Sequence, residues 1–209
     1  MHNAFTIIDD FYDNPYEVRD KALAMEYFDI KHSYSYQNGG GLWPGCVSKT
    51  AYVPKNIDVV VSKLLGIPVR SEAEESCISG FFRISQQDDI PDQFCHVDSV
   101  PNNGQKCYTG LLYMNTPEQC INSDGSSKVG TRFYSHKKTG KNKVDNNKEF
   151  METHLDFNDP TKWTIDVIVS LKWNRLVIID NSIYHGYGDL FGNSVDTARC
   201  AQIFLFKTI

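Results

Sequence analysis

The sequence predicts a mainly β protein, an antiparallel barrel or jelly roll placed behind a short helical N-terminal part. Three observations lead there. From about residue 77 to 206 apolar residues come in short runs bounded by turn residues. The best patterned of these, Ile165, Val167, Val169 and Leu171, alternates with period two. No helical pattern of any length separates most of the runs, so neighbouring strands must pair antiparallel through short connections. The 209 residues fit one domain, with helical support over about 1–70 and a β core over about 77–206. A hydrophobic content of 41% with 12% aromatics is enough to build a sizeable core.

In chain order, Phe5-Thr6-Ile7-Ile8 is a short strand followed by an acidic turn. A helix is expected over 15–27: Asn14 can cap it, Pro15 suits its first position, and Glu17 can reach back as the capping-box acid. Val18, Ala22 and Met25 form its apolar face. Residues 31–50 are loop-like, and Gly39-Gly40-Gly41-Leu42-Trp43-Pro44-Gly45 within them reads as an ordinary loop anchored by its Trp. No helix start and no Lys-Ser/Thr pair directly follows these glycines, as a phosphate-binding loop would require. A second helix over about 55–65 carries Ile57, Val60, Val61, Leu64 and Leu65 on one face and ends at Gly66 and Pro68. Strands are then expected at 77–85, 107–115, 131–134, 165–171, 175–179 and 199–206. The interval 122–162 is polar, with only 131–134 looking ordered. Lys137, Lys138, Lys141, Lys143 and Lys148 read as a solvated loop more readily than as a hairpin that steers an anion, and His136 and His154 as surface residues.

Composition narrows the function classes. A net charge of -5 gives no support for nucleic-acid binding. The longest aliphatic run, Leu176-Val177-Ile178-Ile179, is far too short for a membrane span, and no secretory signal opens the chain. The six cysteines form no CxxC pair and read as reduced thiols, which points to the cytoplasm.

The residues that carry chemistry begin with Phe94-Cys95-His96-Val97-Asp98. In an extended segment alternate side chains share a face, so His96 and Asp98 point the same way. An imidazole and a carboxylate side by side make two thirds of a 2-His-1-carboxylate metal triad. The candidate for the third ligand is His185, which ends the turn after the buried strand at 175–179 and is followed by Gly186. Arg199 opens the last strongly apolar strand, where a permanent charge needs a carboxylate or water. One of the chain's 26 acids could provide it as a salt bridge, or an acidic cosubstrate could be clamped there.

Taken together, His96-Val97-Asp98, His185 and Arg199 resemble the iron(II)/2-oxoglutarate-dependent oxygenases, most closely the prolyl-hydroxylase-like branch. Pro101 to Cys107 followed by Thr109-Gly110-Leu111-Leu112-Tyr113-Met114-Asn115 is similar to that branch's loop and next strand. Gly130-Thr131-Arg132-Phe133 and Asn174-Arg175-Leu176-Val177-Ile178 are similar to two further strands. The resemblance covers roughly 77–206 and implies a double-stranded β-helix core, iron(II) held by His96, Asp98 and His185, and 2-oxoglutarate and dioxygen as cosubstrates. It also implies that Arg199 and Tyr113 hold the distal carboxylate of 2-oxoglutarate, with Thr109, on the same strand face as Tyr113, as a third cosubstrate-binding residue and Tyr108 on the other face. The implied reaction is hydroxylation of a protein or peptide side chain, or of a small molecule, with decarboxylation of 2-oxoglutarate to succinate. Three features depart from the family pattern. Arg199 lies far from His185, so 188–196 should bulge out as a loop. The Ser or Thr often found two places after the arginine is Ala201, and no tyrosine stands at 85–87 before the His-x-Asp motif. A cupin-like metalloprotein that does not use 2-oxoglutarate and a non-catalytic binding domain of the same fold are the alternatives.

Overall fold

A computed structural model describes residues 5–29, 45–71, 79–89, 93–102 and 104–209. The N-terminal part supplies β1 (Phe5–Ile8), α1 (Pro15–Ala24), β2 (Tyr27–Asp29), β3 (Cys46–Ser48), α2 (Ile57–Leu65) and β4 (Val69–Ser71). The rest is β5 (Phe81–Ser85), β6 (Cys107–Tyr113), β7 (Val129–His136), α3 (Asn147–Thr153), β8 (Trp163–Ser170), β9 (Arg175–Asp180), β10 (His185–Tyr187) and β11 (Arg199–Thr208). These strands form two antiparallel sheets. The larger has the order β1-β9-β6-β11-β5-β3-β2, with β4 also paired to β11, and the smaller is β10-β7-β8. The glycine loop through Trp43, and Cys77 at the expected start of the β core, lie outside the described residues.

Strand parity sorts the core into layers. On β6, Leu112 and Tyr108 join Phe82, Ile84, Ile178, Phe204 and Phe206 against Val18 and Ala22 of α1 and Ile57 and Val61 of α2. Tyr113 and Leu111 point the other way and pack with Phe133, Val169, Val177, Ile179 and Ala201, between the two sheets. A third cluster of Cys95, Tyr134, Val144, Phe157, Trp163 and Tyr184 backs the small sheet. The helices thus cover the outer face of the large sheet and leave its inner face for the site.

Several sequence expectations need correction. α1 stops at Ala24 because Met25 is extended, and Tyr27 begins β2, paired with β3. The Asn14 side chain does not cap α1; its amide donates to Glu17 instead, at 3.1 Å. α2 ends at Gly66 in the left-handed conformation (φ 69°), yet Val60 and Leu64 are exposed and only Ile57 and Val61 are fully buried. The contact with the sheet is narrower than the apolar stripe. The interval 122–162 holds far more order than its polarity implies. It contains β7 and α3, and it contributes Val144, Phe157 and Trp163 to the third cluster. His136 is buried, not a surface residue. Its Nε2 lies 3.0 Å from Asp156 and its Nδ1 3.2 Å from Thr139. Three of the five lysines are tied locally: Lys141 to Glu149, Lys143 to Asp145, and Lys137 to the Thr161 carbonyl.

Candidate metal centre

Two segments distant in sequence meet as a reciprocal backbone pair. His96 N–H donates to the His185 carbonyl and His185 N–H to the His96 carbonyl, both at 2.9 Å. This places the rings 4.3 Å apart, centre to centre. Gly186 makes the approach possible, since a Cβ there would stand 2.3 Å from the Phe94 carbonyl oxygen. The Asp98 N–H donates to the carbonyl of Asn181, in the turn after β9, at 2.9 Å. One ligand atom from each of His96, Asp98 and His185 can be chosen so that all three lie within 4.8 Å of one another. His96 Nε2 is 3.7 Å from Asp98 Oδ1, and His185 Nε2 is 3.7 Å from Asp98 Oδ2.

The donor set suits a divalent metal. His185 Nδ1 lies 2.9 Å from the Ile183 carbonyl oxygen. A carbonyl can only accept, so Nδ1 carries the proton and Nε2 presents its lone pair to the triad. Burial, reinforced by the nearby His185, keeps the His96 pKa well below the ordinary histidine range, so its ring is neutral and able to ligate. Two imidazoles and one carboxylate brought within 4.8 Å of one another are a donor set able to hold iron(II) facially.

The far end of the inter-sheet space is set by β11 and β7. Arg199 donates to the Gly130 carbonyl at 2.8 Å, and its guanidinium stands 5.3 Å from the centre of the Tyr113 ring. The Tyr113 hydroxyl is 2.7 Å from Thr131 Oγ1. Burial raises the Tyr113 pKa against the opposing pull of Arg199, so the phenol keeps its proton. Gly130 is required here, because a Cβ would meet the Tyr113 ring and hydroxyl at 2.7 Å. Asn115 fixes the start of β11, accepting from Cys200 N–H and donating to the Ala198 carbonyl, both at 2.8 Å. The chain between β10 and β11 is irregular, as the long His185–Arg199 spacing requires. Asp189 anchors it by accepting from Val129 N–H and pairing with Arg132.

Thr109 differs from the sequence expectation. It faces the same interior as Tyr113, but its hydroxyl donates to Asp98 Oδ2 at 2.7 Å and lies 2.9 Å from Asn181 Oδ1. Thr131, Asn181 and Arg83 are the residues that the sequence reading missed. Thr131 supplies a hydroxyl that Ala201 lacks. Its place two positions into β7, on the opposite sheet, gives no signal in the sequence near Arg199. Arg83 pairs in register with Ala201; burial lowers its pKa to about 10, with Tyr187 and Asp98 pulling the other way. Only the inward parity of β5 could have pointed to it.

No protein-family model and no curated protein sequence matches the chain. Solved structures do. The chain is similar to HygX from Streptomyces hygroscopicus with nickel, 2-oxoglutarate and hygromycin B bound, with a TM-score of 0.52 at 9% identity over 98% of this chain and 83% of that one. Weaker likenesses are to EvdO2 from Micromonospora carbonacea var. aurantiaca (TM-score 0.47, 12% identity, 99% and 87% covered) and to EctD from S. alaskensis with 2-oxoglutarate and 5-hydroxyectoine (0.46, 13%, 99% and 72%). The likeness to HygX is one of fold, kept across almost the whole chain while nine residues in ten differ.

Proposed function

We propose that this protein is an iron(II)- and 2-oxoglutarate-dependent oxygenase of the prolyl-hydroxylase-like branch. It hydroxylates a protein or peptide side chain or a small molecule and works in the cytoplasm. The observation that carries the reading is the convergence of His96, Asp98 and His185 within 4.8 Å, with the His185 proton held on the nitrogen turned away from the triad. The fold neighbour HygX, which holds nickel and 2-oxoglutarate, supports it. Among the described residues no helix is long and apolar enough to cross a membrane.

Each residue has a stated task. His96, Asp98 and His185 would hold the iron(II) ion. Bound iron supplies the oxidation, in which dioxygen gives one atom to succinate and one to the hydroxylated product while carbon dioxide leaves. Arg199 offers two parallel N–H donors to the distal carboxylate of 2-oxoglutarate, and the hydroxyls of Tyr113 and Thr131 complete that end. Thr131 takes the place of the hydroxyl missing at Ala201. Packing of Phe133, Val177 and Ile179 beside the cleft keeps water from the reacting centre.

The test is anaerobic loading with iron(II) followed by 2-oxoglutarate. The expected result is a weak visible charge-transfer band, then succinate formation once air is admitted. His185→Ala should lose both. A parent protein that binds iron but develops no band with 2-oxoglutarate would turn the reading to the cupin-like alternative.

A further inference from the structure

The inner wall of the cleft holds a polar relay that links both halves of the triad. Asn181 sits four residues before His185 in the turn that delivers that ligand. Its carbonyl accepts from Asp98 N–H at 2.9 Å and from Ser99 N–H at 3.1 Å, and its own N–H donates to the Cys107 carbonyl at 3.0 Å. Its side chain meets the Thr109 hydroxyl, which also meets Asp98 Oδ2. Thr109 and Asn181 are both buried, so no bulk water competes for these contacts.

A hydroxyl has one proton and here has two neighbours. A carboxylate is the stronger acceptor, so the proton goes to Asp98. The Asn181 amide then turns its nitrogen to the Thr109 oxygen, which has lone pairs to accept it. The result is a directed chain, Asn181 to Thr109 to Asp98, that ends on one carboxylate oxygen. The other oxygen, Oδ1, faces His96 Nε2 at 3.7 Å with no such donor on it among the described residues, while Oδ2 stands equally far from His185 Nε2.

We infer that Thr109, fixed by Asn181, is a positioning residue that makes Asp98 a one-oxygen metal ligand. The inference rests on the oxygenase reading and explains how the site keeps its reactive positions. A carboxylate bound through both oxygens would take one of the three positions that a chelating cosubstrate and dioxygen need. Engaging Oδ2 with Thr109 reserves that position. It also moves Thr109 from the cosubstrate's contacts to the metal's surroundings.

The test uses the full chain, stripped of metal and titrated anaerobically with Co(II), whose visible ligand-field spectrum reports coordination number. Thr109→Val removes the hydroxyl and keeps the shape. It should weaken Co(II) binding by about ten- to a hundredfold, as loss of an outer hydrogen bond to a ligand does, and change the ligand-field spectrum. Thr109→Ser should restore both, which a packing role would not. Thr109→Ala repeats the measurement if the buried methyl facing Asn181 prevents Thr109→Val from folding. Parent-like Co(II) affinity and spectrum in the folded hydroxyl-free variants would overturn the inference while leaving the oxygenase reading in place, all the more if 2-oxoglutarate binding alone were weakened. A parent that binds neither Fe(II) nor Co(II) would overturn both.

Discussion

Arg199 shows how much one side chain can be asked to do. Its guanidinium is oriented before any ligand arrives, by the Gly130 carbonyl and the Tyr113 ring. A charge-assisted hydrogen bond is worth about 1.5–3 kcal/mol, so losing it weakens binding about tenfold or more. Arg199→Ala should therefore raise the apparent 2-oxoglutarate dissociation constant at least that far, with metal affinity in the absence of 2-oxoglutarate unchanged. Arg199→Lys should recover only part, because the fork geometry is lost, and Tyr113→Phe should give a smaller loss than Arg199→Ala. Titration of the charge-transfer band across the three variants checks the order. Gly186 is the complementary case, a residue whose value is the absence of a side chain. Gly186→Ala would push a methyl into the Phe94 carbonyl and separate the His96 and His185 backbones. The expected outcome is a large loss of metal affinity with the helices and large sheet retained, read by metal titration beside circular dichroism.

At the scale of elements, the chain between β7 and β8 matters more than its polar composition implies. Phe157 is buried, and its carbonyl accepts the Cys95 N–H at 3.0 Å, one residue before His96. Trp163 ties the same region down by donating from its indole to the Asp156 carbonyl at 2.8 Å. The excursion is therefore a brace behind the ligand segment. Phe157→Ala should cost about 3–5 kcal/mol of stability, the range for emptying a buried aromatic site, and should weaken metal binding as well. Urea denaturation of the apoprotein gives the first quantity and metal titration the second. Stability loss with unaltered metal affinity would show that the brace does not reach His96.

For the molecule as a whole, the first strand is locked to the large sheet by charge. Asp9 accepts from Arg175 through both oxygens, at 2.6 and 3.0 Å, and from Lys172 at 2.8 Å. The hydrogen bond from Arg175 is the main cause that holds the Asp9 carboxyl far below its usual pKa, with Lys172 adding to it and partial burial opposing it. A depressed folded pKa stabilises the protein above the unfolded value, about 3.9, and that contribution is lost as pH falls through the folded one. Asp9→Asn should therefore be less stable than the parent at neutral pH by about 1 kcal/mol, the upper end for a surface ion pair. The gap should close progressively below about pH 4, where the parent's carboxyl begins to take up its proton on unfolding. Thermal melts at several pH values would show this. A gap constant down to pH 2 would mean that shape and not charge fixes β1.

What the sequence determined by itself is what the local backbone dictates. Short apolar runs bounded by turn residues marked β6, β9 and β11, and period-two alternation marked β8, although of the alternating residues Val169 and Leu171 are buried while Ile165 and Val167 stay exposed. The same alternation put Tyr113 and Thr109 on one face and Tyr108 on the other, and it turned the HxD pair to one side. The left-handed Gly66 ended α2 where its lack of a Cβ permits that turn. What only the tertiary structure decided is who meets whom. Thr109 and Asn181 are 72 residues apart, and their meeting depends on the β6–β9 register, which pairs Thr109 with Ile179 and Tyr108 with Asp180. Thr131 reaches Tyr113 because the two sheets face each other. His136 is interior because the later excursion brings Asp156 to it. Side-chain direction is a property of one segment, whereas register and sheet facing are properties of the closed fold. A single sequence therefore yields the direction in which Thr109 points, and the folded chain decides that Asp98 is what it finds there.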